Sequence, residues 1–260
     1  MQLFDKRAKV IIGSKTFSYP PFSIEFETEE DLDVLRSTTI RLYNPNDDTL
    51  SSCKGEKKGQ ITEYPLIEVE AGYKDNMGKV FKGEIIDYKL KKTKVDRILE
   101  IQVADKTALI WATKIINKTY QDMKASEIIK DMAGDRSGYI SLGNDKFYKR
   151  FVARRFHYAV RRIAKETGSN YYCTNGYLNM KPAGFIENNA IILGFDSGLI
   201  DIPEYIKGGY RIKTLFLYEL TPGRSIKLQT KNIKSIFRVK NVKKMFSSFK
   251  DSYCVAEVYR

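Results

Sequence analysis

The chain has 260 residues, with 45 Lys+Arg against 32 Asp+Glu, a formal charge of +13 and a pI near 9.4. Hydrophobic residues make up 42% and charged residues 30%, which excludes wholesale disorder and allows roughly one to three domains with proper cores. The single His157 and the scattered Cys53, Cys173 and Cys254 exclude most Ser-His, Cys-His and multi-His designs, and without a CxxC pair no zinc site is expected.

The N-terminus, Met1 to Arg7, lacks the apolar stretch of a signal peptide. Gly13-Ser14-Lys15-Thr16 lacks the upstream glycine and the Gly-Lys pair of a phosphate-binding loop, and reads as a turn between strands. Phe22, Ile24 and Phe26 alternate with Ser23, Glu25 and Glu27, the period of a half-buried strand. A second strand covers Thr38 to Tyr43 and stops at Asn44-Pro45-Asn46-Asp47-Asp48. Asp47-Asp48 is expected in a solvated turn, without the further oxygen ligands a calcium loop needs. Ser51 to Gln60 reads as a loop or a short helix and loop. Ile67, Val69, Ala71 and Tyr73 then alternate with Glu68, Glu70 and Gly72, Asn76-Met77-Gly78 turns, and Val80 to Tyr88 returns, which makes a hairpin. Leu99, Ile101 and Val103 give another strand. Region one is therefore an antiparallel sheet or barrel ending near 115.

The period then changes. Ala125, Ile128, Ile129 and Met132 form an apolar helix stripe, with Gly134 as its cap. A second helix is expected over 151–167, with Val152, Phe156, Val160 and Ile163 on one face, and Gly168 as its stop. The lone His157 on it reads as a packing or surface residue. Asn175-Gly176, between Tyr171–Thr174 and Tyr177–Met180, is a strong hairpin signal. Pro182-Ala183-Gly184 marks the exit. Region three returns to strands at Ala190–Phe195, Ile212–Leu220, Ile226–Leu228, Phe237–Val239 and Val255–Tyr259, with the turn Thr221-Pro222-Gly223-Arg224 among them. Apolar runs such as Ala190–Leu193 are far too short to span a bilayer, so no membrane insertion is expected.

The charge falls in blocks. Residues 1–145 hold 23 basic and 24 acidic residues, residues 146–165 hold 8 basic and none acidic, and residues 205–250 hold 12 basic residues against Glu219 alone. Two blocks suggest specific surfaces. Their candidate partner-binding residues are Arg150, Arg154, Arg155, Arg161, Arg162 and Lys165 in the first, with Lys149 nearby. In the second they are Lys227, Arg238, Lys240, Lys243 and Lys244. Arginine suits bidentate contact with phosphate or carboxylate. Acidic protein neighbours, nucleic acid and a merely solvated face all remain open. Seventeen tyrosines and 14 phenylalanines fall mostly at alternating strand positions, where core packing explains them.

The run Ile40-Arg41-Leu42-Tyr43-Asn44, then Ile67-Glu68-Val69-Glu70-Ala71-Gly72-Tyr73, then Val80-Phe81-Lys82-Gly83-Glu84-Ile85 resembles phage tail baseplate hub proteins. So does the ending, Leu220-Thr221-Pro222-Gly223-Arg224-Ser225-Ile226-Lys227-Leu228 followed by Phe237-Arg238-Val239. The likeness is to hubs of contractile-tailed phages, prophages and phage-tail-like bacteriocins of Gram-positive hosts. It implies a mainly β fold with an α+β insertion. Two small antiparallel β-barrel domains of tail-tube type, residues 1–116 and 184–260, would flank a helix-helix-hairpin domain at 117–183. It also implies a homotrimeric ring, a non-enzymatic adaptor without cofactor or metal, joining a hexameric tail tube to a trimeric spike. Implied partners are the chain itself, the tube protein, the spike protein and other baseplate proteins. Tape-measure protein or DNA would pass through the lumen. The place of action would be the baseplate of a virion or tail-like particle, assembled in the bacterial cytoplasm. Nucleic-acid binding is the alternative, and a tail-associated peptidoglycan hydrolase is a third reading.

Overall fold

The structure is a computed structural model that describes residues 5–31, 37–58, 61–63, 65–104, 114–174, 177–187 and 189–260. The first region opens with β1 (Lys6–Ile12) and β2 (Lys15–Tyr19), joined by a tight turn at Gly13-Ser14 where Gly13 has φ +56°. Glycine takes that conformation at least cost, and these residues are a hairpin turn as expected. β3 (Ile24–Asp31), β4 (Ser37–Tyr43), β7 (Leu66–Tyr73), β8 (Asn76–Lys92) and β9 (Arg97–Ala104) follow. Between them lie a short helix α1 (Asp47–Ser52) and the small pair β5 (Glu56–Lys58) and β6 (Ile61–Glu63).

Alternation builds these strands. On β7, Ile67, Val69 and Ala71 are buried while Glu68 and Glu70 face out. Its hairpin with β8 holds, but the turn is Lys74-Asp75, since Tyr73 pairs with Asn76. Asn76-Met77-Gly78 already lies in the strand. Gly78 is needed there because a Cβ would sit 2.1 Å from the Tyr218 ring. Asp47-Asp48 is the first turn of α1 rather than a turn. The Asn46 side chain caps the helix, accepting from the Thr49 N–H at 2.9 Å.

The middle region contains β10 (Ile115–Lys124), α2 (Ala125–Ala133), β11 (Ser137–Ile140), β12 (Phe147–Arg155), α3 (Phe156–Glu166), β13 (Ser169–Thr174) and β14 (Tyr177–Pro182). The α2 stripe is buried as expected. The expected second helix is not continuous. Residues 147–155 are strand, antiparallel to β10, and helix begins only at Phe156. Apolar residues at 152, 156, 160 and 163 fit a helix locally. The strand partner lies some thirty residues upstream, where no short-range pattern reveals it. Val152 is therefore exposed, while Phe151 and Ala153 are buried. β13 and β14 pair antiparallel up to Thr174 opposite Tyr177; their Asn175-Gly176 turn lies outside the described residues.

The third region holds β15 (Ile191–Leu193), β16 (Glu204–Ile206), β17 (Gly209–Leu215), β18 (Ser225–Gln229), β19 (Lys234–Ser247) and β20 (Tyr253–Tyr259). The strand read at 212–220 ends at Leu215, and the one read at 190–195 is reduced to three residues. The turn before β18 is present, with Arg224 N–H donating to Thr221 O and Gly223 at φ +81°.

The fold is mainly β and its sheets are mostly antiparallel. The first and third regions do not form separate sheets. β19 pairs with β3 from Asn241–Asp31 to Ser247–Glu25, so one sheet runs β16-β17-β20-β19-β3-β4-β9-β8-β7-β1-β2. Their core is also shared. Phe26 stacks on Phe246 at 5.3 Å, and Phe216 meets both edge-on. Each such burial is worth about 1.5–3 kcal/mol. The middle region has its own core, around Ile128, Ile129, Phe151, Phe156 and Ile163. No helix among the described residues is long and apolar enough to cross a membrane.

Candidate functional site

The basic residues separate by element. Arg150, Arg154 and Arg155 all lie on β12, not on a helix, and are exposed. Arg161, Arg162 and Lys165 lie on the solvent side of α3, opposite Phe156, Val160 and Ile163. Arg162 is engaged. Its Nε donates to Glu166 at 2.8 Å and its guanidinium sits 4.9 Å from the Phe151 ring. Glu166 also accepts from Lys146 at 2.7 Å and from the Tyr148 hydroxyl at 2.9 Å. The hydrogen bonds from Lys146 and Arg162 pull the Glu166 carboxyl down to about 2. Arg150, Arg154, Arg155, Arg161 and Lys165 make no ion pair among the described residues and stay exposed, the first three on β12 and the other two on α3.

The second block is partly spent internally. Lys227 and Lys240 are exposed and make no ion pair among the described residues. Lys243 pairs with Glu27 at 2.5 Å and Glu29 at 3.3 Å, across the β19–β3 seam. Lys244 is fully buried, 3.1 Å from a fully buried Glu30, and also donates to Tyr218 O. Arg238 is buried too. Its Nη1 donates to Pro182 O at 3.1 Å, while Nε and Nη2 have no hydrogen-bond partner among the described residues. The seam thus joins the basic β19 to the acidic β3, and the charge difference between regions is partly cancelled inside the molecule.

A cluster missed in the sequence sits beside Arg238. Glu187 takes Lys181 on one oxygen and Arg224 on the other at 2.9 Å, and its own N–H donates to Ser225 Oγ. Burial pushes the Glu187 carboxyl up, but the Lys181 hydrogen bond and the Arg224 charge outweigh it and hold the group below its ordinary value. The cluster ties the chain after β14 to β18. Its only local signal was Glu187 standing alone in a long acid-poor stretch.

None of this resembles a reaction centre. Burial pushes the Cys53 and Cys254 thiols up to about 11, so both are protonated at neutral pH. His157 is half-buried on α3 with its ring 3.9 Å from that of Tyr158. Among the described residues no group of three or more His, Cys, Asp or Glu could hold a metal ion. What the surface offers is exposed guanidinium groups and open strand edges, which suit association.

Residues 64–206 match the family described as the Alg8 N-terminal domain. No curated protein sequence matches the chain. Solved structures do match in fold. A tail protein from Neisseria meningitidis MC58 is similar over 99% of this chain and 97% of its own, with TM-score 0.71 and 11% identity. The 43 kDa tail protein of prophage MuSo2 from Shewanella oneidensis covers 98% of each chain, with TM-score 0.67 and 9% identity. An Escherichia coli component of the type VI secretion system, described as structurally similar to the T4 bacteriophage tail proteins gp27 and gp5, covers 92% of this chain and 74% of its own. Its TM-score is 0.61 and its identity 12%. The fold is thus that of phage tail and type VI secretion proteins from end to end.

Proposed function

We propose that this chain, which belongs to the Alg8 N-terminal domain family, is a structural baseplate hub of a phage or phage-like tail. In this reading it is a non-enzymatic assembly protein of a virion or tail-like particle. Three copies form a ring that adapts a hexameric tail tube to a trimeric spike. Each copy gives the ring two barrel domains, residues 1–116 and 184–260, held side by side, with 117–183 as the middle domain. Tube, spike and other baseplate proteins are its partners, and tape-measure protein or DNA passes through the lumen.

The observation that carries the reading is the end-to-end likeness to tail proteins, in a chain whose two β regions continue as one sheet. A likeness covering only one domain would suit a grafted module. The exposed Arg150, Arg154, Arg155, Arg161 and Lys165 then serve acidic protein neighbours in oriented assembly. The test is the composition of purified tail particles. The chain is expected in them in stoichiometric amount, and a chain that never enters particles contradicts the reading.

The same arginines favour a second reading, contact with nucleic acid. It predicts affinity falling steeply with salt and lost in Arg154→Glu with Arg161→Glu. A chain that shifts no DNA on a gel at low salt excludes it.

A further inference from the structure

The first and third regions repeat one five-stranded pattern in the same chain order. β3 pairs with β4, β4 with β9, β9 with β8 and β8 with β7. Likewise β16 pairs with β17, β17 with β20, β20 with β19 and β19 with β18. All eight pairings are antiparallel. β8 and β19 are the long strands, and each changes partner part-way. Glu84 is opposite both Leu66 and Ala104; Arg238 is opposite both Ser225 and Tyr259. Two residues beyond those points each strand carries a bulge, at Ile86 and at Lys240.

The repeat differs in one respect. The distal half of β19, Asn241–Ser247, carries β3 on the edge away from β20. The matching half of β8, Asp87–Lys92, pairs only with β9, and its other edge has no strand among the described residues. The strand equivalent to β3 is β16, which ends the sheet and has no strand on its other edge among the described residues. The molecule therefore holds one filled junction, β19 with β3, and the two unfilled halves of a second.

We propose that the second junction forms between copies: β16 of one chain adds antiparallel to Asp87–Lys92 of the next. The inference rests on the ring reading in naming a second copy as the occupant. Transferring the β19–β3 register places Leu90 opposite Tyr205, Lys91 opposite Glu204 and Lys89 opposite Ile206. Charge follows the same plan. At the filled junction Lys243 reaches Glu27 at 2.5 Å; the equivalent residues are Lys89 and Glu204. Apolar exposure agrees as well. Tyr205 is 73% exposed, and Ile202, just before it, is 82% exposed. Such a contact uses two different edges of each chain. It is head-to-tail, and it closes a ring when the rotation permits.

The full-length chain tests this by cross-linking. Lys91→Cys chains mixed with Glu204→Cys chains should form a disulfide-linked dimer under mild oxidation, because directly opposite antiparallel residues lie within disulfide reach. The native Cys53 and Cys254 are buried, and the half-buried Cys173 is changed to Ser in every variant. Lys79→Cys, on the half of β8 already paired with β7, should not link to Glu204→Cys. In a separate variant, Tyr205→Asp should weaken association by at least about tenfold, by setting a charge against Leu90, and leave the melting temperature of the single chain unchanged. An oligomer that forms without the Lys91–Glu204 link, or that tolerates Tyr205→Asp, overturns this surface and leaves the ring reading standing. A chain that stays monomeric with its tail partners overturns both.

Discussion

The buried pair Lys244–Glu30 shows how single residues are fixed by parity. Val242, Lys244 and Phe246 share the inward face of β19, and Phe26, Thr28 and Glu30 share that of β3. Each charge helps to offset the cost of burying the other. Lys244→Met should destabilise the fold by roughly 3–5 kcal/mol, because Glu30 loses that cation, whereas Lys244→Met with Glu30→Leu should recover most of it; denaturant titration of the two variants checks this. A second residue sets a pH dependence. The Lys91 hydrogen bond leads, with Lys89 and Arg41, in pulling Glu100 from an ordinary 4.5 to about 2. The folded value is depressed, so the stabilisation is complete above pH 4.5 and fades as pH falls through about 2. Glu100→Gln should flatten that acid limb in melting curves taken from pH 5 to 2. In the sequence, Lys244 read as one more surface cation of a basic block. The alternation that places it inside was legible, but its counter-charge lies more than two hundred residues away.

Elements with strong alternation, β7, β9 and β20, were legible because their inward faces are almost purely apolar. β10 and β12 were not. Their outward positions carry Lys118, Arg150 and Arg154, and Phe147, Val152 and Ile115 stand exposed, so the alternating signal is diluted. The same blur moved Arg154 and Arg155 from strand to helix. The turn into β17 has a firmer requirement. A Cβ on Gly209 would sit 1.8 Å from Val258 O, a backbone atom, so Gly209→Ala should part β17 from β20. Overpacking of this kind costs typically about 1–3 kcal/mol. The loss should appear as a lower melting temperature and as faster amide exchange in β17 and β20 than in β10 and β12.

At the scale of the molecule, the +13 charge invited a polyanion partner. The fold spends much of it on seams. β19 meets β3 through Lys243 and Lys244, and Arg224 and Lys181 hold Glu187. Exposed cations without an ion pair among the described residues remain on β12 and α3, and also on the third region at Lys227, Lys231, Lys234 and Lys240. The repeat of five strands was invisible in the sequence because the two copies keep only strand order and bulge position, not residue identity. Phe81-Lys82-Gly83 and Phe237-Arg238-Val239 sit on the two equivalent long strands without aligning residue for residue. With one junction filled within the chain and its counterpart unfilled on both halves among the described residues, the proposed ring needs copies to assemble. Native mass spectrometry of the chain co-expressed with its tail partners tests this most directly. An assembly holding three copies, three times the 30.0 kDa chain mass in that component, is expected; a chain that stays at one copy under those conditions overturns the proposed ring.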